Sequence, residues 1–182
     1  MAETKDIVLG SGSLYIAEYT GTTLPSNATI ETNTNLVGEI KGGASVEYKA
    51  NIIEVDSDDL QTIARFIGKE EITFKSGILK WNLDNLAQLS SGAITDDDVT
   101  GIRTLKIGGK GARKCTNYVV HFVHTKSDGK KIRATLVGNA VDGFTIGFVP
   151  DKETVVDATF KALAHDDAGT QLVYSIEYEV ED

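Results

Sequence analysis

Apolar and polar residues alternate along most of this chain, and stretches of helical spacing are brief. The clearest run lies near the C-terminal end. There Tyr174, Ile176, Tyr178 and Val180 fall on one side of an extended segment, with Ser175, Glu177, Glu179 and Glu181 on the other. Ahead of it Val156, Ala158, Phe160 and Ala162 alternate with Val155, Asp157, Thr159 and Lys161. The intervening Asp166-Asp167-Ala168-Gly169 is a turn signal, so the two runs predict a terminal hairpin. Asp128-Gly129 and Asp142-Gly143 are dipeptides that accept the positive φ of tight turns. They predict a meander over 117–125, 131–137 and 144–149. Further strands are expected at 13–18, 37–41, 44–53, 70–74 and 78–81. About ten strands predict a mainly β fold, an antiparallel sandwich or barrel, because a sheet must bury its apolar face against something.

Two short helices interrupt this pattern. One is expected over about 59–67, where Leu60, Ile63, Ala64 and Ile67 form a stripe, Asp58 can cap the start and Gly68 follows the end. The other is expected over about 83–90, with Leu83, Leu86, Ala87 and Leu89 on one face, Asn82 as its cap and Gly92 beyond it. Residues 20–35, 49–66 and 91–101 read as extended loops of a single domain spanning 1–182. There is no internal repeat.

Composition narrows the function classes. The chain has 182 residues, with 41% apolar and 25% charged, as in ordinary globular proteins. Its net charge of −9 disfavours a general nucleic-acid binder, since an acidic surface repels phosphate on average. One cysteine excludes an internal disulfide framework, and three histidines leave little for a histidine-rich metal site. The longest uncharged stretch, Tyr19 to Ile30, is too short and polar to span a bilayer. Glu3, Lys5 and Asp6 stand near the amino terminus with no apolar run beside them, so no secretory signal is expected, and the retained Met1 and single Cys fit a reducing cytoplasm.

Candidate chemistry is thin. His121 and His124 are three apart in an expected strand, so they point to opposite faces and read as half-exposed strand histidines. His165 has no nucleophile motif beside it, and Cys115 reads as a buried structural thiol despite neighbouring Lys114. Gly108-Gly109-Lys110-Gly111 lacks the ending of a phosphate loop and reads as a hairpin tip. Asp96-Asp97-Asp98 lacks the ligand spacing of a calcium loop and reads as a solvated acidic loop. No enzyme, metal or cofactor is expected. Charge, by contrast, is segregated. Nine basic residues and one acidic residue lie between Arg103 and Arg133, a local charge of +8 that leaves −17 for the remainder. Copies of such a molecule can meet head to tail with opposite signs in contact, unless the basic residues are simply the solvated side of one hairpin.

Several segments together resemble the major tail tube proteins of long-tailed bacteriophages. Val8-Leu9-Gly10-Ser11-Gly12-Ser13-Leu14-Tyr15-Ile16-Ala17 resembles the opening strand of that family. Thr23-Leu24-Pro25-Ser26-Asn27-Ala28-Thr29-Ile30 and Leu36-Val37-Gly38-Glu39-Ile40-Lys41-Gly42-Gly43-Ala44 resemble its next two blocks. Gly68-Lys69-Glu70-Glu71-Ile72-Thr73-Phe74, continuing to Leu79-Lys80-Trp81-Asn82-Leu83-Asp84-Asn85-Leu86, resembles its strand–strand–helix unit. Thr159-Phe160-Lys161-Ala162-Leu163 with Gly169-Thr170-Gln171-Leu172 resembles its final hairpin.

The resemblance implies a β core with a packed helix, six copies per ring, and rings stacked into a hollow tube that conducts DNA into a bacterial host. It implies tape measure, tail terminator and baseplate proteins as partners, double-stranded DNA as passing cargo, and a place in the virion tail after assembly in the host cytoplasm. An inner tube of a contractile tail or a phage-like bacteriocin is the alternative within the class. A carbohydrate-binding β-sandwich is the alternative outside it, although the chain's single Trp, Trp81, stands at a helix start and not on an exposed strand. Glu177 and Glu179 are candidates for an acidic lumen wall, or they face outer solvent. Asp56, Asp58 and Asp59 are candidates for a contact with Arg103, Lys106, Lys110, Arg113 and Lys114 of another ring, or the segment is an internal packing helix.

Overall fold

The computed structural model describes residues 12–21, 23–38, 40–78, 82–90, 92–110, 115–146, 148, 150–151 and 153–179. Ten strands and two short helices follow in the order β1 (Ser13–Glu18), α1 (Asn27–Ile30), β2 (Leu36–Gly38), β3 (Ile40–Ser57), β4 (Gln61–Ile78), α2 (Leu83–Gln88), β5 (Ala93–Asp97), β6 (Ile102–Lys106), β7 (Tyr118–Thr125), β8 (Lys131–Ile146), β9 (Val156–Leu163) and β10 (Leu172–Ile176). The fold is therefore mainly β and antiparallel, as the alternation predicts. Eight strands form one sheet in the order β2-β1-β7-β8-β9-β4-β3, with β10 also on β8, and β5-β6 form a separate ribbon.

Strand β8 belongs to two halves of that sheet. Its first part pairs with β7 on one side and β10 on the other, and its second part pairs with β9. The sheet folds over at this strand. Phe122 of β7 and Phe74 of β4 stand three strands apart, about 14 Å in a flat sheet, yet their ring centroids are 6.3 Å apart. The core enclosed by the fold takes Leu14, Ile16, Val120 and Leu136 from one half and Phe74, Ala158 and Phe160 from the other. Leu86 of α2 and Leu89, the residue that follows the helix, close it, so the apolar face read from the sequence is the one buried. Asn82 caps α2 by accepting from Asn85 N at 2.7 Å, and buried Asn85 donates to Val37 O at 3.1 Å. A second, smaller cluster lies on the opposite face of the β1-β7-β8 half. There Ile30 and Leu24 of the 23–35 segment cover Val119 and Val137.

Several expectations are corrected. The helix predicted over 59–67 is absent: Asp58, Asp59 and Leu60 make a turn, and the rest is the start of an 18-residue strand. Two bulges in β4, at Ile63 and Gly68, break its alternation against β3. Those extra residues imitate helical spacing, whereas the β-branched and aromatic side chains favour the strand that forms. The 49–66 loop is accordingly a hairpin arm. The terminal hairpin is also corrected. The turn at 166–169 exists, closed by Gly169 N to Asp166 O at 3.1 Å, but β9 and β10 do not pair with each other. They run end to end along β8, with Leu163 opposite Val137 and Leu172 opposite Leu136.

Asp128-Gly129 forms its hairpin, with Gly129 at φ 83. Asp142-Gly143 lies at a register shift inside continuous β8. The 91–101 loop contains β5 and its turn, and the 20–35 loop contains α1. Gly108–Lys110 link the ribbon towards β7 and do not form the tip of a paired hairpin, while Gly111–Lys114 lie outside the described residues. So do Trp81, Val180 and Glu181.

Candidate functional site

Three surfaces stand out, and the first is the arm formed by β3 and β4. Only Thr73–Ile78 of β4 are supported by β9. Beyond them the ribbon continues for about ten residue pairs, roughly 30 Å. Cross-strand partners share a face. One face of the arm carries Tyr48 opposite Ile72 and Ile52 opposite Ile67, and the other carries Ile53 opposite Phe66 and Val55 opposite Ala64. Ile52, Ile53, Phe66 and Ile67 are 46–60% exposed. A two-stranded ribbon is marginal alone, and one that is apolar on both faces has each face open to a partner. Asp56 sits near the arm's end, and Asp58 and Asp59 form its tip, all exposed.

The second surface is the half-sheet β8-β9-β4-β3. Its outer face is polar. Glu47 pairs with Lys49 at 2.8 Å and Lys75 at 3.5 Å, and Glu71 pairs with Lys161 at 2.7 Å. Both of its edges are open: among the described residues no strand pairs with the outer edge of β3 or with β8 beyond Gly138 on the side away from β9. Gly138 is required where it stands, since a Cβ there would lie 2.3 Å from Lys161 O.

The third is a charge cluster that sequence reasoning missed. Glu31, next after α1, accepts from Arg133 Nε at 2.6 Å and Lys131 Nζ at 2.6 Å, with His121 Nε2 at 3.4 Å. Burial opposes its charge, but the hydrogen bonds from Arg133 and Lys131, the Arg133 charge and the His121 contact outweigh it. The Glu31 pKa falls to about 2. Burial lowers the His121 pKa, so the ring is neutral at pH 7. A carboxylate only accepts, so Nε2 carries the hydrogen and Nδ1 accepts from Thr135 Oγ1 at 2.7 Å. Arg133 Nη1 also reaches Glu177 at 2.6 Å. Nothing local marks Glu31 in the sequence. The only available signal was a pair of cations, Lys131 and Arg133, at the start of a strand whose next residues are mostly apolar.

The predicted site residues separate. Glu177 is engaged by Arg133 and by Lys131 N, whereas Glu179 is 88% exposed with Lys130 at 3.7 Å. Arg103 forks Asp84 at 2.8 and 2.9 Å and meets Asp96 at 3.0 Å. Asp96 is therefore an ion-pair partner, and Asp97 accepts from Val99 N and Thr100 N in its own turn. Lys106 and Lys110 are exposed, and Arg113 and Lys114 lie outside the described residues. No ion pair among the described residues joins the acidic arm tip to this basic stretch.

His121 and His124 do face opposite sides but are buried, at 1% and 6%, because the 23–35 segment covers one face and the core the other. Cys115 is exposed, not buried. His165 lines an open cleft of about 570 Å³ with Tyr19, Leu24 and Asp166. Among the described residues no cluster of three His, Cys, Asp or Glu is placed to hold a metal ion, and no helix is long and apolar enough to cross a membrane. Neither a family model nor a curated protein matches this chain.

Proposed function

We propose that the chain is a self-assembling tube protein of the phage tail type, whose copies close into rings that stack into a DNA conduit. The observation that carries the reading is the half-sheet open at both edges. An open edge invites another strand, and a sheet open at both edges can pair head to tail with copies of itself until a ring closes and no edge remains. In this reading β3 of one copy adds to β8 of the next. The uncovered polar face then lines the channel.

That wall carries lysines already engaged by Glu47 and Glu71, so it offers DNA little net attraction, as sliding cargo requires. Glu177 is not part of the wall in this arrangement, because it is held on the face that the 23–35 segment covers. The arm reaches the neighbouring ring, where both of its apolar faces are buried. Negative-stain microscopy of the purified protein tests the reading. Rings or tubes with a central hole are expected; a monodisperse monomer at millimolar concentration would overturn it. Imaged particles with or without a surrounding sheath separate a contractile tail or bacteriocin from a non-contractile one.

A further inference from the structure

We infer that Arg133 and Lys131 form a clasp that couples the 23–35 segment to the C-terminal edge strand β10, so that each is held or released with the other. This holds whatever the chain assembles into. The 23–35 segment is seated by Ile30, 1% exposed in the smaller cluster, and by Glu31, whose two carboxylate oxygens are held by Arg133 Nε and Lys131 Nζ at 2.6 Å each.

The same two residues hold the other element. Arg133 Nη1 binds Glu177 Oε1 at 2.6 Å, Lys131 N donates to Glu177 Oε2 at 2.9 Å, and Glu177 N donates to Lys131 O at 3.0 Å. Exposed Glu179 adds only a 3.7 Å approach to Lys130. Apart from Leu172, which packs against the main core, strand β10 has little else to hold it. It pairs over five positions with β8, no described strand lies on its other edge, and Tyr174 and Ile176 are 58% and 60% exposed.

Arg133 is itself 8% exposed, so its guanidinium cannot lose one carboxylate and stay where it is at no cost. With Glu31 gone, Arg133 keeps Glu177 only by moving, and β10 moves with it. With Glu177 gone, the grip on Glu31 loosens in turn. Coupling of this kind is reciprocal. His121 and Thr135 brace the Glu31 side and have no counterpart at Glu177, so β10 is the weaker of the two partners.

Hydrogen exchange of the full chain tests this, with β9 as the internal control because it lies on the same edge of β8. In Glu31→Gln, exchange of the β10 ladder amides is expected to speed up at least tenfold while those of β9 stay at the wild-type rate. In Glu177→Gln the reciprocal acceleration is expected at the amides of Ile30, Asn35 and Leu36. Arg133→Lys keeps the charge but loses the two-pronged grip, and both segments should exchange faster. If each carboxylate variant accelerates only its own segment, the two are independent and the inference fails. Should Glu31→Gln not fold, Glu177→Gln decides alone, since Glu177 is 44% exposed and its loss leaves Arg133 paired with Glu31.

Discussion

In the proposed tube, replacing Phe66 by Ser should weaken ring stacking while leaving the isolated chain folded. Phe66 is 60% exposed on the arm, opposite Ile53. A phenylalanine buries roughly 200 Å² when fully enclosed, so about 120 Å² remains for a neighbour to cover. At about 25 cal/mol per Å² that contact is worth about 3 kcal/mol per subunit, or roughly a hundredfold in its association constant. Within the chain, the roughly 40% of Phe66 already covered, its contact with Ile53 included, is worth about 2 kcal/mol by the same rule. The variant's melting temperature should therefore fall by no more than roughly 4–8 °C, leaving it folded at room temperature. Its threshold concentration for tubes, followed by sedimentation and negative stain, should rise roughly a hundredfold or more. Tubes forming at the wild-type threshold would show that the arm's apolar faces do not carry assembly.

Other perturbations read the fold and the clasp. Glu31 titrates at about 2 when folded against 4.5 for the free group, so its contribution is fully present above pH 4.5 and lost as pH falls towards 2. That contribution is about 3 kcal/mol, and denaturant titrations across that window should show a steep loss of stability that Glu31→Gln flattens. Phe160→Ala empties a fully buried site between Phe74 and Ala140, at a cost of about 3–5 kcal/mol. A calorimetric melting temperature lower by roughly 10 °C or more is expected, and a smaller shift would mean that the folded sheet collapses around the loss.

The legible parts of the fold are those where one signal had one meaning. Val156, Ala158, Phe160 and Ala162 alternate because every second residue enters the core. The Asp128-Gly129 turn was legible because few other structures need that pair. The arm was not. An isolated ribbon has no single buried face to impose strict alternation, and bulges at Ile63 and Gly68 scrambled what remained. Strand β10 was legible as a strand, but its partner was not. Sequence nearness favoured β9, whereas β8 offered a vacant length of edge that a 164–171 excursion lets the chain reach. Glu31 was invisible for a related reason, since its partners are about a hundred residues away and no local pattern records them.

The segregation of charge changes meaning once its partners are known. Of the basic residues between Arg103 and Arg133, Arg103 is bound by Asp84 and Asp96, Lys126 by Asp128, and Lys131 and Arg133 by Glu31 and Glu177. Much of the +8 read from the sequence is thus matched within the subunit. Only Lys106 and Lys110 are exposed there without such a partner among the described ion pairs, and in the proposed tube they would meet at most three carboxylates at a neighbour's arm tip. Exposed pairs of that kind contribute about 0–1 kcal/mol and are screened over roughly 10 Å at 0.1 M salt. In the proposed tube the apolar arm faces would contribute more, and apolar contact is not screened. Tube formation should therefore change little between 50 mM and 500 mM salt, read by light scattering at the assembly threshold. Dissolution of tubes by moderate salt would return the leading role to Asp56, Asp58 and Asp59.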